Sequence, residues 1–169
     1  MAIEVCKIKY IDAYYATRDS KNSFGVSRTC EAYGYVEKTE KDVIVYFIQK
    51  IEKDTPGVIL RGLMIPHTNL FSYVKTFDPA SITDTLCFSE RIEVTWRSVT
   101  FVNNIVWQEA PTMLSRGVLV NINDDHIVIS DPETFRIFPE PETLHPSIKP
   151  KFYYIPLASI LSVKQKTNT

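Results

Sequence analysis

The stretch Ile65-Pro66-His67-Thr68-Asn69-Leu70-Phe71-Ser72 returns at an offset of 90 as Ile155-Pro156-Leu157-Ala158-Ser159-Ile160-Leu161-Ser162. Each reads Ile-Pro, three positions, a branched aliphatic, any residue, then Ser. Three further landmarks keep the same order. Ile3-Glu4-Val5 recurs as Ile92-Glu93-Val94, and each triplet is followed within a few residues by an apolar-rich run. A glycine then precedes two aliphatic runs around a polar turn, at Gly34–Val45 and again at Gly117–Ile129. Ordered self-similarity of this kind marks a chain built from copies of one unit. It predicts two copies of about 80 residues, the first over 1–79, a linker over 80–89 and the second over 90–169. The glycine offset is only 83, so the copies differ in loop length.

The unit reads as β. Val43-Ile44-Val45-Tyr46-Phe47-Ile48 and His126-Ile127-Val128-Ile129-Ser130 are short and β-branched. Polar residues 37–42 and 121–125 separate apolar runs, the signature of hairpins. Pro156 cannot donate to a ladder, so it predicts a bend between a strand ending at Tyr154-Ile155 and another over Ser159–Val163. About five short bent strands in 80 residues suit a small barrel, because closure hides the edges. Helical periodicity is weak. Ser81–Phe88, with Ser81 and Asp84 at capping-box spacing, is either a short helix or plain linker. The expected fold class is therefore all-β: two tandem five-stranded bent barrels joined by a short helix or linker.

Composition narrows the function classes. The net charge of −1 advertises no polyanion. No apolar run approaches 18 residues, and the first residues lack a signal-peptide pattern, so the expectation is a cytoplasmic protein without a membrane span. Cys6, Cys30 and Cys87 are an odd, scattered set that suits neither a disulfide framework nor a zinc cluster. His67, His126 and His145 have no metal-ligand spacing. No serine or cysteine has a recognisable base partner, and no glycine-rich phosphate loop is present. Asp124-Asp125 reads as a solvated turn pair. The reading is a non-catalytic chain without cofactor or metal.

A strand at a glycine, a polar hairpin turn and aliphatic strands together resemble the first motif of Sm-like (LSm) proteins, with Gly34 and Asp42 in the first copy and Gly117 with Asp124 or Asp125 in the second. Leu60-Arg61-Gly62-Leu63-Met64-Ile65 resembles the family's second motif. The asparagine that follows the family's aspartate has no counterpart here, and Phe152-Tyr153-Tyr154-Ile155 lacks Arg-Gly. The pattern is also shared by SH3-like barrels. The resemblance implies rings built by edge-strand pairing that bind single-stranded RNA at the pore. It implies Arg61, Gly62, Asp42, Asp125 and His126 as the RNA-facing set. Arg61 suits a phosphate or a base face, and Gly62 permits close approach.

Two further features bear on partners. Trp96-Arg97 and Trp107 could form a platform for bases, though core packing is the competing use. Residues 130–151 hold five prolines, which should stiffen a long loop and stop it pairing as a strand. Phe135, Ile137, Phe138 and Leu144 in that loop would be costly to leave in water. The loop is therefore expected to pack on a barrel or a partner, and to carry partner recognition. The functional expectation is a binding or assembly module: an RNA-binding homo-oligomer, with a trimer of tandem barrels set against a monomer. The alternative is a protein–protein scaffold with no nucleic-acid role.

Overall fold

The computed structural model describes residues 5–16, 29–47, 61–70, 88–103, 109–146 and 149–165. Aliphatic and aromatic runs without helical spacing become twelve strands among these residues. They are β1 (Val5–Ile11), β2 (Tyr14–Ala16), β3 (Thr29–Lys38), β4 (Asp42–Phe47), β5 (Arg61–Pro66) and β6 (Arg91–Arg97). Then follow β7 (Thr100–Asn103), β8 (Thr112–Ile122), β9 (His126–Phe138), β10 (Glu142–Leu144), β11 (Phe152–Pro156) and β12 (Ile160–Gln165). Both Ile-Pro stretches end a strand and enter a 3-10 turn, at His67–Asn69 and at Leu157–Ser159. The fold is all-β, as the patterning predicts. The proposed helix at Ser81–Phe88 lies outside the described residues, except for Phe88, which is in a turn.

The strands form two antiparallel sheets. One runs β1-β3-β4-β5-β7, the other β12-β6-β8-β9-β11-β2, with β10 pairing β9 beside it. Within each half the order is the same: first strand, long hairpin strand, its partner, then the Ile-Pro strand. Register agrees with this correspondence. Gly34 faces Cys6 and Gly117 faces Ile92. Pro66 faces Asp42 and Pro156 faces His126. The first landmark of the sequence comparison sits out of this register: Ile92 is level with Cys6, not with Ile3. After each Ile-Pro, the 3-10 turn is anchored alike. The His67 N–H donates to the Lys41 carbonyl at 3.0 Å, and the Leu157 N–H to the Asp125 carbonyl at 2.8 Å.

Each sheet takes one of its two outer strands from the other half. β2 leaves the first half to pair with β11, in register Phe152–Ala16, Tyr153–Tyr15 and Tyr154–Tyr14. β7 leaves the second half to pair with β5, in register Met64–Thr100 through Arg61–Asn103. The exchange is reciprocal.

Burial explains why some strands alternate and others do not. Along β6, Ile92, Val94 and Trp96 point inward and alternate with more exposed residues. Val43-Ile44-Val45, Leu63-Met64-Ile65, Ile127-Val128-Ile129 and Tyr153-Tyr154-Ile155 are buried without alternation. Their two faces enter different clusters. Val43, Val45, Leu63 and Ile65 join the core of one sheet, while Ile44 and Met64 pack with Ala110. Ile127, Ile129, Tyr153 and Ile155 join the larger core of the other sheet, while Val128 and Tyr154 pack with Tyr14. Strands covered on both faces read as continuous apolar runs.

One expectation about the proline-rich segment needs correcting. Residues 130–138 do not stop pairing; β9 carries straight through Pro132. The ladder of β8 and β9 shifts register between Arg116 and Val118, opposite Asp131-Pro132. The proline thus sits in a bulge, where no ladder donor is needed. Asp131 has φ 49°, a left-handed conformation that aspartate tolerates better than most side chains.

Candidate functional site

Asp42 and His126 open β4 and β9 at equivalent places, and both are fully buried. Each reaches across to the other half. Arg97 Nη2 donates to Asp42 Oδ1 at 2.8 Å, and the Ala110 N–H to Oδ2 at 3.1 Å. The Asp42 carbonyl accepts from His67 Nε2 at 2.8 Å, which places that ring proton on Nε2 because a carbonyl only accepts. His126 Nε2 likewise donates to the Asp12 carbonyl at 3.1 Å, and its ring lies edge-on to Tyr14. Lys41 Nζ and Glu109 Oε2 add an exposed ion pair across the same junction at 3.0 Å. A buried carboxylate with a guanidinium and a backbone donor is a satisfied structural charge.

The five residues implied for RNA do not gather on one surface. Asp42 and His126 hold the two halves together. Asp125 is nearly buried; its carbonyl anchors the turn at Leu157, and its N–H donates to Asn123 Oδ1 at 2.9 Å. Gly62 is buried inside β5. A Cβ there would lie 2.4 Å from the Val45 carbonyl oxygen, so the glycine serves a close strand approach. Arg61 is exposed, at the end of β5 opposite from Pro66 and its partner Asp42. The Trp96-Arg97 platform is also absent. Trp96 is a core residue whose Nε1–H donates to Ser115 Oγ at 3.0 Å, and Arg97 is committed to Asp42. Trp107 lies outside the described residues.

The corner between β1 and β2 holds an acid that sequence reading passed over. Asp12 Oδ1 accepts the Ala13 N–H at 2.8 Å. Burial raises its pKa to about 6, the Ala13 N–H pulling the other way. Beside it, Tyr15 stacks on Tyr153 at 3.9 Å and Tyr14 on Tyr154 at 4.3 Å, so the exchanged strand is held by two ring pairs. The adjacent pair Tyr14-Tyr15 and the pair Tyr153-Tyr154 are the sequence signal for this contact. Nothing in a single sequence says that Tyr14 and Tyr15 belong to the opposite sheet.

Exposed apolar side chains are spread over the described residues, at Tyr33, Phe88, Phe101 and Leu161 and on the hairpin of β9 and β10, where two clefts accompany them. Ile137 and Phe138 are 45% and 43% exposed. Phe135 and Thr143 separate two clefts. One, of about 580 Å³, is lined by Pro132, Phe135, Leu144, His145, Pro146 and Pro150 among others. The second, of about 380 Å³, includes Leu114, Ile137 and Pro141 with a charged rim. There Arg116 lies over the Phe135 ring at 5.4 Å and bonds Glu93 at 3.0 Å, while Arg136 pairs with Glu142 at 2.6 Å. An apolar floor with paired charges at its rim is chemistry for binding side chains. Among the described residues, no three His, Cys, Asp or Glu are grouped to hold a metal ion. No helix of the described residues is long and apolar enough to cross a membrane. Set against known protein families, curated proteins and solved structures, the chain matches none.

Proposed function

We propose that this protein is a non-catalytic binding module for a protein partner in the cytoplasm, made of two tandem copies of one small bent β unit of SH3-like or Sm-like kind. The observation that carries the reading is the β9–β10 hairpin, which sets exposed Ile137 and Phe138 beside two clefts. Aromatic and aliphatic anchors with an arginine-bearing rim are the composition of protein interfaces. The test compares the native protein with Ile137→Asp/Phe138→Asp as baits in affinity capture. The variant should keep its unfolding midpoint within about 0.5 kcal/mol of native stability, as exposed sites do. It should lose partners that the native protein retains. Identical captured sets would remove the hairpin from the proposal.

The RNA-binding ring is the second reading, and Arg61 is the exposed residue that favours it. Ring assembly needs unpaired strand edges that repeat head to tail. Here β2 and β7 occupy the outer edges of β11 and β5, and among the described residues β1, β7, β12 and β2 end the two sheets. The protein-partner reading expects a solution mass of one 19.4 kDa chain, with no retention of short single-stranded RNA. A mass near three chains, with RNA binding weakened by Arg61→Ala, would restore the ring.

A further inference from the structure

A ladder of charges crosses four strands of the larger sheet, on the face turned away from its core. Lys164 on β12 lies opposite Glu93 on β6, Glu93 opposite Arg116 on β8, and Arg116 opposite Glu133 on β9. Residues directly opposite in an antiparallel pair share one face, so the four side chains form one row of alternating sign. They are not equally engaged. Arg116 Nε donates to Glu93 Oε1 at 3.0 Å, and the guanidinium lies over the Phe135 ring. Lys164 is exposed and forms no ion pair with a described residue.

The ladder ends on an open edge. Among the described residues β12 is the last strand of its sheet, with β6 on one side and no strand on the other. Backbone N–H and C=O groups along such an edge accept one more strand. Two features select which one. The register with β6 shifts between Ile160 and Ser162, so Leu161 is the extra residue of a bulge, and it is 58% exposed. Regular pairing is left to residues 162–165, with Lys164 on the ladder face. A second copy laid antiparallel on these residues sets the two lysines opposite or diagonal to one another, and like charges there repel. An apolar strand gives the ammonium group no counter-charge. Bulge and lysine together keep such strands off. An acidic strand continues the alternation of sign.

We propose that the outer edge of β12 takes an extended acidic segment of a partner protein by strand addition, with a carboxylate of that segment facing Lys164. The backbone of residues 162–165 supplies the affinity, and the lysine selects the sign of the partner's charge. This surface is separate from the β9–β10 hairpin and does not depend on what the hairpin binds.

The experiment titrates the isotope-labelled full chain with short capped peptides in which valine alternates with glutamate or with lysine, and follows the backbone amides by NMR. The glutamate peptide should shift the β12 amides first. It should bind about two- to thirtyfold more tightly than the lysine peptide, the range for one cross-strand charge pair turned from attraction to repulsion. Lys164→Glu should reverse the order. Lys164→Gln, which places no like charge opposite Glu93, should lose the preference. A glutamate peptide methylated on its backbone nitrogens keeps its charge and loses its donors, so it should not bind. Ile137→Asp/Phe138→Asp should bind both peptides as the native protein does, which separates this edge from the hairpin. Equal affinity for the two peptides, a preference that survives in Lys164→Gln, or full binding of the methylated peptide overturns the proposal. So does a doubled solution mass with the β12 amides protected, which gives the edge to a second copy.

Discussion

Replacing Asp42 by alanine should cost about 3–5 kcal/mol of stability, the penalty for breaking a buried ion pair by removing one partner. The carboxylate is fully buried, and it takes one bond from Arg97 and one from the Ala110 N–H. Without it, a guanidinium whose side chain is 15% exposed keeps only a long bond to the Lys41 carbonyl at 3.5 Å, and the Ala110 N–H loses its acceptor. Denaturant unfolding reads the loss directly. The double change Asp42→Ala/Arg97→Met should recover a substantial part of it, because no charge is then stranded. A loss below about 1 kcal/mol would mean that the halves do not meet through this pair.

Gly34→Ala is expected to be at least as damaging, although it adds a single methyl group. That Cβ would sit 1.9 Å from the Tyr46 carbonyl oxygen and 2.7 Å from its carbon. Both atoms are backbone, so no rotamer change relieves the contact, and β3 must separate from β4. Overpacking usually costs about 1–3 kcal/mol where side chains can adjust, and a backbone collision belongs at or above the top of that range. The check is the unfolding midpoint together with soluble yield. A variant within about 0.5 kcal/mol of native would show that β3 and β4 are not paired at Gly34 and Phe47.

Those two residues illustrate what was legible in the chain. Gly34 and Gly117 were conspicuous in the sequence because each precedes a hairpin, and the structure gives both a close strand approach. The Ile-Pro stretches announced a strand, a break and a new strand because proline cannot donate to a ladder. Runs such as Ile127-Val128-Ile129 also carried a message that alternation alone would have hidden: apolar residues on both sides of a strand need two covering layers. Which layer covers the second face is a long-range fact. It depends on Tyr14 stacking on Tyr154, 140 positions away in the chain. Asp42, Asp125 and His126 entered the RNA-facing set only through the resemblance of their hairpin turns to an Sm-like motif. The tertiary fold instead buries them against partners with which they share no local pattern. The strand through Pro132 was missed because a bulge is set by its partner strand, β8, and not by the proline itself.

The reciprocal exchange of β2 and β7 has a consequence for synthesis on the ribosome. β5 is finished at Pro66, yet the strand that covers its outer edge begins at Thr100. At about 5–20 residues per second, translation needs roughly 2–7 s to make the intervening stretch. During that interval the nascent first sheet carries a row of unsatisfied backbone donors and acceptors, the template on which neighbouring chains aggregate. β2, made earlier still, has no partner until β11 appears near the end of the chain. A newborn chain therefore completes neither sheet early, and the window in which it needs protection from other chains spans most of its synthesis.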